Sequence, residues 1–421
     1  MLLKIESIAA GGDGVAHSED GRVAFVPATA PGDLVRVATT RDGGRWLRAE
    51  VVEIVEPSPH RRSPPCPLID RCGGCPLQHM GYQSQLDAKS RIIGDALRRI
   101  GGFDVSDPPV ESAPDEFAYR SVVSFTLKRL PGGRVLAGFH ERGRPGRIVD
   151  VNLECLLPES RVASVWGALR ARWGERGRRL PPGRELRLTL RGVDDGAVLF
   201  ADGGLAGGDA PALLSEVPGL YAIWHRPEGG DWRCLAGEPA LFVEAFSERV
   251  RVAPGAFTQI NPAVADALRL SVMSEVGPPE GIRIVDAFCG TAVHGRRLAR
   301  HGATVVGLEL DSRAAEAARE GAPAGFTVVE GKTEDTLAEA LPADRVILNP
   351  PRKGLDPRVP EILRESPVAR VIYVSCDPAT LARDLARMGP GYTIRRLQAF
   401  DLFPQTSHVE TVVTLDSSLE P

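Results

Sequence analysis

Apolar and polar positions alternate in short runs over residues 2–55, separated by turn-rich pieces at residues 11–14, 19–21 and 41–44. Period-two patterning bounded by Gly and Asp predicts a small antiparallel barrel of about five strands, the layout of an OB-like nucleic-acid module. Prolines and polar residues at 56–67 break all regular structure and place a boundary near Pro57. Past a cysteine-rich segment, residues 82–101 carry apolar side chains at helical spacing and end in Gly101-Gly102, which predicts an amphipathic linking helix. Strand-like runs return between residues 110 and 253 as a second, mostly β domain. From about residue 270 strand-like runs alternate with helical ones, which predicts a doubly wound, Rossmann-like α/β domain. The expected chain is multidomain: 1–57, the OB-like β-barrel; 58–269, the cysteine segment, linking helix and central β domain; 270–421, the α/β domain.

Length agrees, because 421 residues exceed what one core organises. An apolar fraction of 43% and a charged fraction of 25% exclude a disordered or fibrous chain. The first residues are too few and too polar for a signal peptide, and no apolar run reaches bilayer-spanning length, so a cytoplasmic protein without a membrane partner is expected. A net charge of −4 excludes a uniformly basic coat, yet nucleic-acid binding follows local potential. Arg142, Arg144 and Arg147, and the seven arginines from Arg170 to Arg187, suit either a solvated surface or a phosphate-binding face.

Ligands of an open α/β sheet bind outside the carboxyl ends of its strands. Asp286 to Gly290 follows the first such strand, and Glu309 ends the second, where a carboxylate can accept from a ribose diol; the pair suits a nucleoside cofactor, NAD or S-adenosylmethionine alike. Asn349-Pro350-Pro351-Arg352 is a rigid polar turn that can face a planar substrate. Cys376 lies at a strand-to-helix junction, where a helix N-terminus lowers a thiol's pKa and activates it as a nucleophile. Glu410 can serve as a general base beside it. Singly, these features read equally as an inert buried cysteine, a surface glutamate and a turn that stops a strand. As a set they match one chemistry: thiolate addition to carbon 6 of uracil makes carbon 5 nucleophilic, and a base then removes the carbon 5 proton so that the thiolate can leave.

Five motifs carry a resemblance: Phe257 to Asn261, Asp286 to Gly290, Asn349 to Gly354, Ser375 to Thr380 and Phe403 to Glu410. In these the chain resembles the bacterial uracil-5-methyltransferases of ribosomal and transfer RNA. The resemblance implies that Cys376 is the nucleophile and Glu410 the proton acceptor, and that Gln259, Phe288, Glu309 and Asn349 line a pocket for S-adenosyl-L-methionine and uracil. It further implies that the N-terminal barrel is a TRAM module and that the partner is RNA, ribosomal RNA being favoured over transfer RNA. Seven cysteines at irregular spacing do not suit a disulfide framework. Cys66, Cys72 and Cys75 form C-x5-C-x2-C with Cys155 distant in sequence, and four thiolates can hold a [4Fe-4S] cluster or a structural zinc. The resemblance implies the cluster. Cys234 and Cys289 read as ordinary packing.

Departures from the family pattern also carry expectations. Ala292 stands where the cofactor loop usually has glycine, and its methyl is expected to crowd the donor. Asn349 replaces an aspartate, Asp377 an asparagine and Gln405 a histidine, and a carboxylate at 377 is expected to oppose thiolate formation at Cys376. Two alternatives follow: an amino-directed methyltransferase using Asn349-Pro350-Pro351, and an RNA-binding homologue that has lost its chemistry.

Overall fold

The computed structural model describes residues 1–418. In the N-terminal unit six strand segments form one sheet in the order Leu2–Lys4, Leu34–Asp42, Trp46–Glu56, Val23–Val26, Gly14–His17, Ser7–Ile8. Alternate residues Ala24 and Val26, Val35 and Val37, and Leu47 and Ala49 point to one shared core with Leu3 and Ala16, so the sheet wraps around that core. Asp33, fully buried, fastens the unit to the next segment by accepting from Arg61 at 2.5 Å and from the Ser58 amide at 2.8 Å.

The central sheet has seven strands in the order Arg144–Asp150, Val135–Glu141, Val122–Arg129, Glu185–Val193, Gly196–Asp202, Leu220–Arg226, Arg233–Gly237. Helices Ser160–Arg172 and Ala210–Glu216 cover one face, where Trp166, Leu169 and Leu213 pack on Phe125, Leu188 and Leu199. A separate hairpin, Phe242–Ala245 with Glu248–Arg251, leads to the helix Pro262–Val276, whose N-cap Asn261 accepts from the Val264 amide.

The C-terminal sheet runs Phe326–Glu330, Thr304–Glu309, Arg283–Ala287, Arg345–Leu348, Arg370–Ser375, Glu410–Ser417, Tyr392–Phe400, Val110–Glu111. The first five strands are parallel, and Glu410–Ser417 is antiparallel to both neighbours. Helices cover both faces, so Val285, Val346, Val371 and Tyr373 are fully buried and the strands read as continuous apolar runs. The order turns on Arg283–Ala287, which places a ligand crevice at its carboxyl end.

Two segments sit differently from the sequence reading. The helix Tyr82–Arg99, expected with the central unit, buries Ile93 and Leu97 in the core of the C-terminal sheet, and Val110–Glu111 forms that sheet's edge. The helix Pro262–Val276 crosses the expected boundary at 269/270 and packs Val264, Leu268 and Val272 beside Ile284 and Val374 of the same sheet. An amphipathic pattern reports that a face is buried but not against what. Among the described residues no helix is long and apolar enough to cross a membrane.

Candidate active site

A cavity of about 1950 Å³ runs from the carboxyl ends of the C-terminal strands to the open face of the central sheet. Gln259, Phe288, Glu309, Asn349, Cys376 and Glu410, drawn from six separate stretches of chain, all line it.

On the side of the first two strands, Glu309 is locked in place: one carboxylate oxygen accepts from the Gly290 amide and the other from the Asp311 amide, both at 2.7 Å. Each oxygen keeps acceptor capacity for a hydroxyl in the cavity. Phe288 holds a left-handed backbone at φ 58°, a conformation that strains a bulky side chain and persists where the surroundings impose it. Buried Asp286 accepts from the Gly295 amide at 2.9 Å and so fixes the start of the helix Val293–Arg300; a side chain at Gly295 would meet that same carboxylate. Burial pushes the Asp286 carboxyl up to about 7. Gln259 keeps its buried Oε1 without a hydrogen-bond partner, the acceptor that a bound nucleoside or base would complete. These residues fit S-adenosylmethionine.

Ala292 does not crowd this space. Its backbone is left-handed at φ 55°, but its methyl lies in the core with Val264 and Leu298 and does not line the cavity. The strained backbone, about 1–2 kcal/mol for a non-glycine residue, replaces the steric clash expected from sequence.

On the other side, Ser375 pairs with Thr411 in the antiparallel ladder of Arg370–Ser375 and Glu410–Ser417. Cys376 follows the one and Glu410 precedes the other, so the two candidate side chains end the same ladder across from each other. The thiol is not activated at rest, contrary to the helix-terminus expectation: burial and then the Glu410 charge push it up to about 11, while Arg352 pulls it down. Glu410 is buried as well, which pushes its carboxyl up to about 8 against a lowering by Arg352. Asp377 raises the Cys376 thiol as expected, but least of the groups acting on it. Its main work is structural, as the N-cap of Pro378–Met388, accepting from the Thr380 amide at 2.8 Å.

The Asn349 turn is braced by that helix. Buried Asp384 accepts from the Leu355 amide at 2.8 Å and from the Tyr373 hydroxyl at 2.9 Å, and Arg383 donates to the Lys353 carbonyl. Gly354 sits at φ 76° with Asp384 and Thr380 so close that any side chain would collide with them.

Gln405 is buried and bonded throughout. Its Oε1 accepts from Arg62 at 2.9 Å and Gln85 at 3.0 Å, its Nε2 donates to Glu116 at 3.0 Å, and its carbonyl accepts from the Leu77 amide. The loop leading to Glu410 is also held by Lys89, which pairs with Asp401 where both are fully buried, by Tyr119 on the Pro404 carbonyl, and by Ser407 on the Ala10 carbonyl.

Cys66, Cys72, Cys75 and Cys155, distant in sequence, line one small cavity of about 20 Å³ with Leu68, Phe139 and Leu157. Burial pushes Cys75 up to about 12 and Cys155 up to about 11, and the Arg120 charge acts against both shifts. Among the described residues no group of three or more His, Cys, Asp and Glu side chains is set to hold a metal ion. A soft, four-thiol donor set around one space still has the chemistry for an iron-sulfur cluster or zinc. Cys289 packs partly buried beneath the first strand end, and Cys234 lies toward the edge of the central sheet.

Sequence reading missed two residues here. Arg352 is the cation that acts on both Cys376 and Glu410, visible in sequence only as part of a turn motif. Phe257 stands 74% exposed at the cavity, an apolar ring offered to solvent beside Gln259. The arginine-rich stretches divide: Arg170 pairs with Asp150 and Arg179 with Glu216, whereas Arg187 lines the cavity.

Comparison with known proteins agrees with this layout. Residues 333–418 match the model of the tRNA (uracil-5-)-methyltransferase family and residues 1–52 that of the TRAM domain. An RNA methyltransferase of Gloeobacter violaceus, itself uncharacterized, is 36% identical over 99% of this chain and 96% of its own length. A 23S rRNA (uracil(1939)-C(5))-methyltransferase of Azoarcus sp. is 32% identical over 98% of both chains. The crystal structure of Pyrococcus abyssi tRNA (uracil-54, C5)-methyltransferase with S-adenosyl-L-homocysteine superposes with a TM-score of 0.74 at 26% identity, covering 99% of this chain and 100% of the other.

Proposed function

This chain belongs to the RNA (uracil-5-)-methyltransferase family, and from that premise we propose that it methylates carbon 5 of a uridine in 23S ribosomal RNA through a covalent adduct on Cys376. The observation that carries this reading is the strand register that sets Cys376 across from Glu410 at the rim of the cavity. The ribosomal assignment follows the named 23S relatives, and the proposed place of action is the cytoplasm.

Gln259, Phe288, Glu309 and Asn349 would hold S-adenosylmethionine and the uracil ring, the cofactor supplying an electrophilic methyl group. Cys376 loses its proton to solvent and its sulfur forms a bond to carbon 6, which moves the ring's double-bond electrons toward carbon 5 and the carbon 4 oxygen. Carbon 5 takes the methyl group as the sulfur–methyl bond breaks, which would leave the donor as neutral S-adenosylhomocysteine. Glu410 then removes the carbon 5 proton, the carbon 5–carbon 6 double bond re-forms, and the thiolate leaves. Arg352 assists both residues by favouring their charged forms. The four cysteines would hold a [4Fe-4S] cluster in a structural role.

Anaerobically purified protein, incubated with S-adenosylmethionine and unmodified RNA, tests the reading. Wild type is expected to form 5-methyluridine, and Glu410→Gln to accumulate a denaturation-resistant protein–RNA adduct that Cys376→Ala abolishes. Product formation by Cys376→Ala would favour the amino-directed chemistry of the Asn349 turn. RNA binding without product from wild type would make the chain a binding protein.

A further inference from the structure

The central sheet contributes to the cavity a cation that the methyl-transfer chemistry leaves unused. Arg191 lies on the strand Glu185–Val193, only 5% exposed, with its guanidinium 5.1 Å from the ring centre of Phe200. One nitrogen, Nη2, donates to the Ala256 carbonyl at 2.5 Å, while the N–H groups on Nε and Nη1 are buried without partners. Some of the other arginines at the cavity are answered by carboxylates: Arg161 by Glu159 and Arg226 by Asp202, each at 2.7 Å, and Arg383 by Asp384 at 2.8 Å. Among the described residues no carboxylate forms an ion pair with Arg191. Burial alone acts on it, pushing its pKa down to about 10, which leaves it charged at neutral pH.

A charged guanidinium with two unmade donors inside a ligand cavity calls for an anion. The cavity has two sources of one, the carboxylate of the methyl donor and the phosphates of RNA. Arg191 stands on the central sheet, and its contacts Phe200 and Ala256 belong to the central unit and the segment before Gln259, not to the Asp286–Glu309 side that fits the cofactor.

We propose that Arg191 binds a backbone phosphate of the RNA strand entering the cavity, and so positions the target nucleotide over Cys376. The proposal rests on the RNA-methylating reading above and adds a specific anion site to it. Arg191 is a positioning residue, because it acts on the strand and not on the reacting atoms.

The experiment compares wild type, Arg191→Gln and Arg191→Lys as full chains purified anaerobically, with an unmodified 23S rRNA transcript as the probe. Affinity is measured across a range of salt concentrations, with S-adenosylmethionine affinity and thermal unfolding in parallel. Arg191→Gln is expected to bind RNA about tenfold more weakly at low salt and to lower the slope of log affinity against log salt by about 0.7–0.9, the loss of one phosphate contact. Arg191→Lys should keep the wild-type slope, and neither variant should change the affinity for S-adenosylmethionine. An unchanged slope in Arg191→Gln overturns the proposal. Weakened cofactor binding with intact RNA binding assigns the arginine to the donor carboxylate and overturns it too. Unfolding of both variants makes the guanidinium a structural element, with the same consequence. Wild type that yields no 5-methyluridine defeats the activity reading itself, a result separate from any of these.

Discussion

Cys376 and Glu410 work against each other at rest, since burial raises both pKa values and the Glu410 charge raises the thiol further. Arg352 lowers both, so Arg352→Gln should move both upward. On the proposed route methylation needs the thiolate and then the carboxylate, and the rate against pH should therefore shift to higher pH, with about a tenfold loss at pH 7 for each one-unit shift in the group whose step limits the rate. Initial rates between pH 6 and 9.5 check this, and a uniform loss at every pH would instead indicate lost substrate contact. Glu410 also leaves a mark on stability. Its folded pKa of about 8 exceeds its ordinary 4.5, so its contribution is full below pH 4.5 and is lost as pH rises toward 8, by about 1.4 kcal/mol per unit. Glu410→Gln has no such loss, and denaturant melts of both proteins from pH 5 to 8 should diverge steadily in the variant's favour. Parallel curves would mean that Glu410 is ionised in the native protein.

At the scale of elements, the loop before Glu410 shows how the proposed base is placed. Gln405 alone joins Arg62, Gln85, Glu116 and the Leu77 amide. Gln405→Ala leaves several buried groups unpaired and should destabilise the protein by about 2–3 kcal/mol, read from denaturant melts, with a fall in adduct formation. A change below roughly 0.5 kcal/mol would show that the neighbours find other partners. Lys89 and Asp401 bind the helix Tyr82–Arg99 to the same loop, which explains why that helix packs with the C-terminal sheet rather than the central one.

At the scale of the molecule, every unit converges on the loop 401–408: the barrel through Ala10, the cysteine segment through Leu77, and the central unit through Tyr119. The cysteine cavity sits at this junction, since Cys75 packs with Tyr119 and Leu157. Four thiols held by one cluster would therefore tie the cysteine segment to the central unit beside that loop. Cys75→Ser should abolish the iron and acid-labile sulfide content of anaerobically prepared protein and lower its unfolding temperature, and an iron-free, zinc-containing wild type would replace the cluster with a structural zinc.

The sequence by itself determined the local elements and pointed to the candidate residues. Period-two alternation marked the barrel, apolar runs between helices marked the doubly wound sheet, and strand-end positions marked Glu309, Asn349, Cys376 and Glu410, because ligand sites of such sheets lie at strand ends, whereas Gln259 and Phe288 came only through the family resemblance. Tertiary structure alone decided which partner the helices Tyr82–Arg99 and Pro262–Val276 bury against, since apolar faces of one chemistry do not name one another. It decided the proton affinities of Cys376 and Glu410, because desolvation depends on everything packed around a group and not on its neighbours in sequence. It also turned the Ala292 methyl into the core, through a left-handed backbone that one-letter spacing does not encode, and left Arg191 without a counter-ion beside a cavity that no single segment forms.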